Sequence, residues 1–143
     1  MRCKRTTDHE LVRTLDRECF PEDDPIVVDD GCVCWVAGED AFLVARAGPQ
    51  ARVEAGSALL ERVGVLPAMR GRGLQRRLMR TWQRWCQRIG AVGVTYTLTT
   101  NVISSRNMIA CGLELFWPYV PWVGPDVLYW RTRNPQRDEA AVA

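Results

Sequence analysis

The sequence predicts a mixed α/β (α+β) domain built around a central sheet, and three observations carry that expectation. Two segments repeat apolar residues at intervals of three and four, three consecutive β-rich runs are joined by short turns, and β composition returns after the second helical segment. The first helix is expected over Asp8 to Cys19, where Leu11, Val12, Leu15 and Cys19 share a face, Thr7 or Asp8 supplies the N-cap and Pro21 closes it. The stretch PEDDPIVVDDG that follows is acidic and proline-bearing, hence a loop or a short distorted helix. CVCWVA and AFLVARAG flank Gly38-Glu39-Asp40 as a hairpin, and SALLERVGVLP, ended by Pro67, completes an antiparallel meander. Gly64 inside that third run marks a bulge or a close backbone approach.

From Arg72 the period changes: Leu74, Leu78, Trp82, Trp85 and Ile89 recur at helical spacing, and Gly90 supplies the C-cap. Residues 91–100 return to β composition with Val92, Val94, Tyr96 and Leu98 on one face. A short helix is expected from about Ser104 to Cys111, and LELFW and VLYWRTR read as two last strands. The expected order is therefore β, α, a β-meander, α, β, α, β, β. A length of 143 residues fits one domain, placed at 1–134, with 135–143 expected as a disordered tail.

With 47% apolar and 25% charged residues, the composition excludes wholesale disorder and fibrous repeats. No apolar run reaches the roughly 18 to 20 residues of a membrane span, and the opening segment has no signal-peptide core. A soluble, unexported chain without a membrane partner is expected. Six scattered cysteines fit a reducing, cytoplasmic setting. Cys32 and Cys34 share one strand face while the single histidine, His9, is far off, so the pair reads as core filler and no metal site is expected.

The net charge of +2 hides a segregation. Residues 8–61 carry thirteen acids against four arginines, a balance of −9, whereas residues 62–113 carry nine arginines and no acid, +9. Positive charge concentrated in the middle third suits an anion, and phosphate is the common biological one. The segment from Val63 to Gln75 runs from a strand through Pro67 into two glycines and the strongest helix. A helix start presents unpaired amide donors and partial positive charge. Gly71 and Gly73 remove Cβ atoms from the approach, and Arg70, Arg72, Arg76 and Arg77 add charge.

Here the sequence resembles the GNAT family of acyl-CoA-dependent N-acetyltransferases, over about residues 56 to 117. Arg70, Gly73 and then Gln75 follow the family signature of Arg or Gln, Gly, then Gly or Ala, with Gln75 departing at the last position; Val65-Leu66-Pro67 matches the pattern upstream. Asn101 leading a helix toward Gly112-Leu113 resembles the second motif. The resemblance implies a mostly antiparallel central sheet, flanked by helices and splayed at the acetyl-CoA site. It places Val63, Gly64 and Val65 along the pantetheine arm. Arg70, Gly71, Arg72, Gly73, Leu74, Gln75 and Arg76 fall at the pyrophosphate, and Asn101 and Met108 beside the arm.

Acetyl transfer needs a neutral amine, a donor that polarises the thioester carbonyl and an acid for the leaving thiolate. Backbone N–H groups at a strand bulge would stabilise the tetrahedral intermediate. The family's usual tyrosine acid, seven residues after the motif asparagine, is replaced by Met108. Ser104 or Ser105 can serve as the acid, directly or through water, or Ser104 is simply an N-cap. Tyr96 is either an active-site polar group or a packed core tyrosine. Glu61, expected on the same strand face as Val63, is either a general base through water or a solvent-facing glutamate paired with an arginine. Cys111, just before a helix-ending glycine, is expected to be inert.

Glu22-Asp23-Asp24 with Asp29-Asp30 form either an acceptor wall that favours a cationic amine or a solvated loop. Trp117, Tyr119, Trp122 and Trp130 line a pocket, form a homodimer interface or cover the sheet. Two other readings stand beside the enzyme: an acyl-CoA-binding regulator of the same fold, and a nucleic-acid binder or modifier using the arginine helix. The last is disfavoured because Trp82 and Trp85 fall on the core stripe, away from any stacking role.

Overall fold

The computed structural model describes residues 2–51 and 53–133; the expected tail at 135–143 lies outside the described residues. A short strand, β1 (Cys3–Thr6), precedes helix α1 (His9–Cys19). Asp8, not Thr7, starts α1, its carboxylate accepting the Leu11 amide at 3.1 Å. Val12, Leu15, Asp16 and Cys19 are its buried stripe. The acidic segment after Pro21 is irregular and is held by three arginines. Arg13 donates to the Val28 carbonyl, Arg46 to the Val27 carbonyl and Arg62 to the Asp24 carbonyl.

β2 (Cys32–Ala37), β3 (Ala41–Ala47) and β4 (Ser57–Val65) form the expected antiparallel meander. Helix α2 (Leu74–Arg88), β5 (Val92–Leu98), α3 (Val102–Ala110), β6 (Glu114–Phe116) and β7 (Val127–Arg131) follow. The described residues make one seven-stranded sheet of order β1-β2-β3-β4-β5-β7-β6, antiparallel throughout except where β4 meets β5. The helix after β5 starts two residues earlier than expected because Asn101 caps it, accepting the Ser104 amide at 3.1 Å. Ser104 is thus the third residue of α3, and not its cap.

α2 covers one sheet face. Its Leu74, Leu78, Met79, Trp82, Trp85 and Cys86 pack on Trp35, Leu43, Ala45, Ala58 and Leu60. Ile89 leaves the expected stripe: it is the C-cap, past the last helical residue, and 46% exposed. α1 covers the other face, where Val12, Leu15 and Cys19 meet Cys34, Val36, Phe42 and Val44. Cys34 is core filler as expected, and Cys32 packs at the edge of that cluster. No helix among the described residues is long and apolar enough to cross a membrane.

Trp82 is fully buried beneath Gly93 of β5, where a Cβ would stand 2.7 Å from its ring and 3.0 Å from the Thr132 methyl. Gly93→Ala is expected to cost about 1–3 kcal/mol of stability through overpacking. Denaturant unfolding checks this, and an unchanged midpoint would mean that the indole is not seated against β5.

Candidate active site

The strands β4 and β5 hydrogen-bond as a parallel pair only from Ser57–Leu59 to Val92–Val94. Beyond that, β5 continues along β7 to Leu98 and β4 continues along β3 to Val65, with no ladder between them. The Thr95 hydroxyl donates to the Leu60 carbonyl at 3.0 Å at the point of parting. The result is a V-shaped opening in the sheet whose β4 wall, from Glu61 to Val65, lacks a strand partner on that side.

A bulge sits on this wall. Ala45 faces Leu60 and Val44 faces Arg62, so Glu61 is the extra residue. Of the two readings of Gly64, a bulge or a close approach, the structure shows the second: a Cβ there would lie 2.6 Å from Phe42 and 2.8 Å from Phe20. The bulge also overturns the expected sharing of one face by Glu61 and Val63. Val63 and Val65 pack against the α2 core, whereas Glu61 turns to the α1 face beside Arg46.

Glu61 Oε1 lies 2.6 Å from Arg46 Nε, and its side chain is 21% exposed. Burial pushes its carboxyl up, against the lowering pull of the Arg46 guanidinium. Arg46 also donates to Asp29 Oδ1 at 2.9 Å, and that bond, with the Gly31 amide, holds the Asp29 carboxyl down. Glu61 is therefore linked through one buried arginine to the acidic loop. Nearby, Arg62 pairs at 2.8 Å with the buried Asp16, whose second oxygen accepts the Ile26 amide. Glu22, Asp23, Asp24 and Asp30 remain exposed.

The opposite face holds a chain of hydroxyls. The Trp130 indole donates to Thr97 Oγ1 at 2.9 Å, and Thr97 Oγ1 lies 3.1 Å from Ser105 Oγ. With Thr97 accepting from the indole and donating to Ser105, the Ser105 proton is left to point elsewhere. Tyr96, on the other side of β5, is half-buried opposite Tyr129. Met108, expected beside the cofactor, is corrected to a core position: it is 2% exposed among the residues packed by α2.

At the end of β4 the chain turns through residues 67–69 into α2. Gly71 and Gly73 have φ of +81° and +77°, a left-handed conformation that disfavours any side chain. A Cβ at either would meet nothing within 4 Å, so the approach to this turn is open. Gly73 is the N-cap of α2 and provides no side-chain cap, leaving first-turn amides for an outside acceptor. Arg72 is exposed, Gln75 half-buried and Leu74 buried in the core. Two arginines are engaged: Arg70 Nε donates to the Val65 carbonyl at 3.1 Å, and Arg76 Nε to Asn107 at 2.8 Å. Asn101 uses its side-chain oxygen on the α3 cap. Cys111 is half-buried, its sulfur 3.8 Å from the Arg76 carbonyl, and burial pushes its thiol up.

The C-terminal aromatics divide. Trp130 belongs to the main core, while Trp122 and Tyr129 meet edge to face at 4.7 Å, with Phe116 beside them, over the other face. The Tyr129 hydroxyl accepts the Val123 and Gly124 amides and donates to the Gly124 carbonyl at 2.8 Å, which fixes the loop. Trp117 and Tyr119 are 67% and 93% exposed. Sequence reasoning missed Arg46, Thr95 and Thr97. The signal for Arg46 was a charge inside the apolar run AFLVARA.

The family model for the acetyltransferase (GNAT) family matches residues 3–113. No curated protein sequence matches the chain at a significant level. Among solved structures, a Bacillus subtilis acetyltransferase in complex with CoA superposes with a TM-score of 0.69 at 13% identity, over 93% of this chain and 98% of that one. A Salmonella typhimurium protein with its cofactor acetyl-CoA gives 0.70 at 17% identity, over 92% of both chains. A ribosomal-protein-alanine N-acetyltransferase from Brucella melitensis gives 0.68 at 17% identity, over 94% of this chain and all of that one. At such identities the likeness is one of fold.

Proposed function

Because the chain belongs to the acetyltransferase (GNAT) family, we propose that it transfers an acetyl group from acetyl-CoA directly to a primary amine. The observation that carries this reading is the parting of β4 from β5 at a bulge, with β4 leading into a helix that starts on two left-handed glycines. The opening accepts a slender arm between two strands, and the open turn with its unfilled amide donors suits the pyrophosphate at the arm's end. The Bacillus subtilis and Salmonella typhimurium neighbours hold CoA and acetyl-CoA, which supports the same ligand class here.

In this reading Val63, Gly64 and Val65 run along the arm, and residues 70–76 bind its phosphates through backbone amides and the Arg72 charge. The amine approaches from the α1 face, where Glu61 takes its proton through a water. The C–N bond forms as the C–S bond breaks, and the Ser105 hydroxyl, oriented by Thr97, gives a proton to the departing sulfur from the α3 face and regains one from water. Cys111 takes no part, since a thiol pushed up by burial is a poor nucleophile. The exposed carboxylates of residues 22–30 favour an acceptor that carries positive charge.

Titration calorimetry with acetyl-CoA, followed by thiol release across a panel of amines, tests this. Micromolar binding with release on at least one amine is the expected result. Binding without release on any amine would favour an acyl-CoA-binding regulator, and no binding would overturn the reading. Ser105→Ala is expected to lower kcat on the order of 10²-fold with acetyl-CoA affinity retained; an unchanged kcat would remove Ser105 from the mechanism.

A further inference from the structure

We propose that the flank of α2 facing the edge strand β1 is a second anion site, separate from the turn at Gly71–Gly73, which takes a compact ligand carrying two or more phosphate groups. A cavity of about 460 Å³ lies there, lined by Arg2 and Cys3 at the start of β1 and by Arg77, Arg80, Thr81 and Arg84 of α2. That is the size of a small-molecule pocket. Four arginines line it and, among the described residues, no carboxylate does.

Six arginines of this chain, Arg13, Arg17, Arg46, Arg62, Arg131 and Arg133, each pair with a carboxylate. Arg2, Arg80 and Arg84 form no ion pair among the described residues. Gathering like charges around one concavity raises their mutual repulsion, which a bound anion relieves. One of these side chains is also set in place. The Thr81 hydroxyl donates to the Arg77 carbonyl at 2.9 Å and accepts from Arg84 Nη2 at 3.2 Å, holding that guanidinium on the cavity wall.

Charge and shape select the ligand. Planar guanidinium forks match phosphate oxygens two at a time, and the three of Arg2, Arg80 and Arg84 call for the several negative charges of a multiphosphate. The tryptophans of α2 are buried in the core, so they add no base-stacking platform for an extended single strand. None of residues 70–76 lines the cavity. The other flank of α2 is tied to α3 through Arg76 with Asn107 and Gln83 with the Cys111 carbonyl. Occupancy here is thus independent of the acetyl-CoA turn.

The test is titration calorimetry of inorganic tripolyphosphate, run with and without saturating acetyl-CoA, on the wild type and on Arg80→Gln/Arg84→Gln. The expected result is one tripolyphosphate per chain when acetyl-CoA saturates the turn, and at least a tenfold loss of that binding in the double variant, whose acetyl-CoA affinity stays within twofold. Arg17→Gln/Arg133→Gln, which removes the same charge from the exposed surface, should keep tripolyphosphate affinity within twofold. No binding by the wild type, loss of all tripolyphosphate binding on saturation with acetyl-CoA, or equal losses in the two double variants would each overturn the site. Tighter binding of a twelve-nucleotide polyuridylate than of tripolyphosphate would also overturn it, reassigning the flank to nucleic acid.

Discussion

Gly73→Glu is expected to weaken acetyl-CoA binding by at least about 100-fold while leaving the protein folded. The residue is the N-cap of α2, with φ of +77°, where the first-turn amides and the helix dipole concentrate positive potential. A carboxylate held there would occupy the anion's place and repel it across a few ångströms. The fold should tolerate the change because a Cβ meets nothing within 4 Å. The left-handed backbone alone costs about 1–2 kcal/mol. Gly73→Ala carries that same backbone cost without the charge, so calorimetry on both variants, with thermal melts alongside, separates strain from repulsion. Wild-type affinity in Gly73→Glu would remove the pyrophosphate from this turn.

Glu61→Gln is expected to lower kcat by about 10²- to 10⁴-fold and to abolish the acidic limb of the pH profile, with acetyl-CoA affinity little changed. The active form of the base is the carboxylate, so activity in the wild type falls as pH drops through a pKa that burial has raised. Arg46 opposes that rise from 2.6 Å away. Arg46→Met should therefore push the Glu61 carboxyl further up and move the acidic limb to higher pH. Rate profiles of the three proteins decide the matter, and an acidic limb that survives in Glu61→Gln would assign the base elsewhere.

Much of the architecture was legible because apolar spacing and turn chemistry act locally. Asp8, the Val12–Leu15–Cys19 stripe, the Gly38 hairpin and the α2 stripe each declare an element within a few residues. The glycine turn was legible for the same reason, since left-handed φ and an absent cap side chain follow from residue type. Glu61 shows where that logic stops. Its bulge depends on how Val44 and Ala45 of another strand register with Arg62 and Leu60, a long-range match that alternation within SALLERVGV does not encode. Its partner Arg46 arrives from β3 and the second carboxylate, Asp29, from a loop. Ser105 likewise gains its meaning from Thr97 and Trp130 on two other strands. Met108 is a helix residue in sequence, and only tertiary packing decides that it faces the core.

The three-residue contact between β4 and β5 makes the sheet two panels joined along a short seam, β1 to β4 on one side and β5, β7 and β6 on the other. Such a seam is the part of the backbone network least able to carry cooperativity from one panel to the other, and it lies beside the opening assigned to acetyl-CoA. A ligand wedged there replaces missing ladder contacts and fastens the panels together. Amide exchange in β4 and β5 should then slow on saturation beyond the global gain of RT ln(1 + [L]/Kd). The protein would thus be most cohesive when loaded, and its free form would open first at the gap through which the ligand enters.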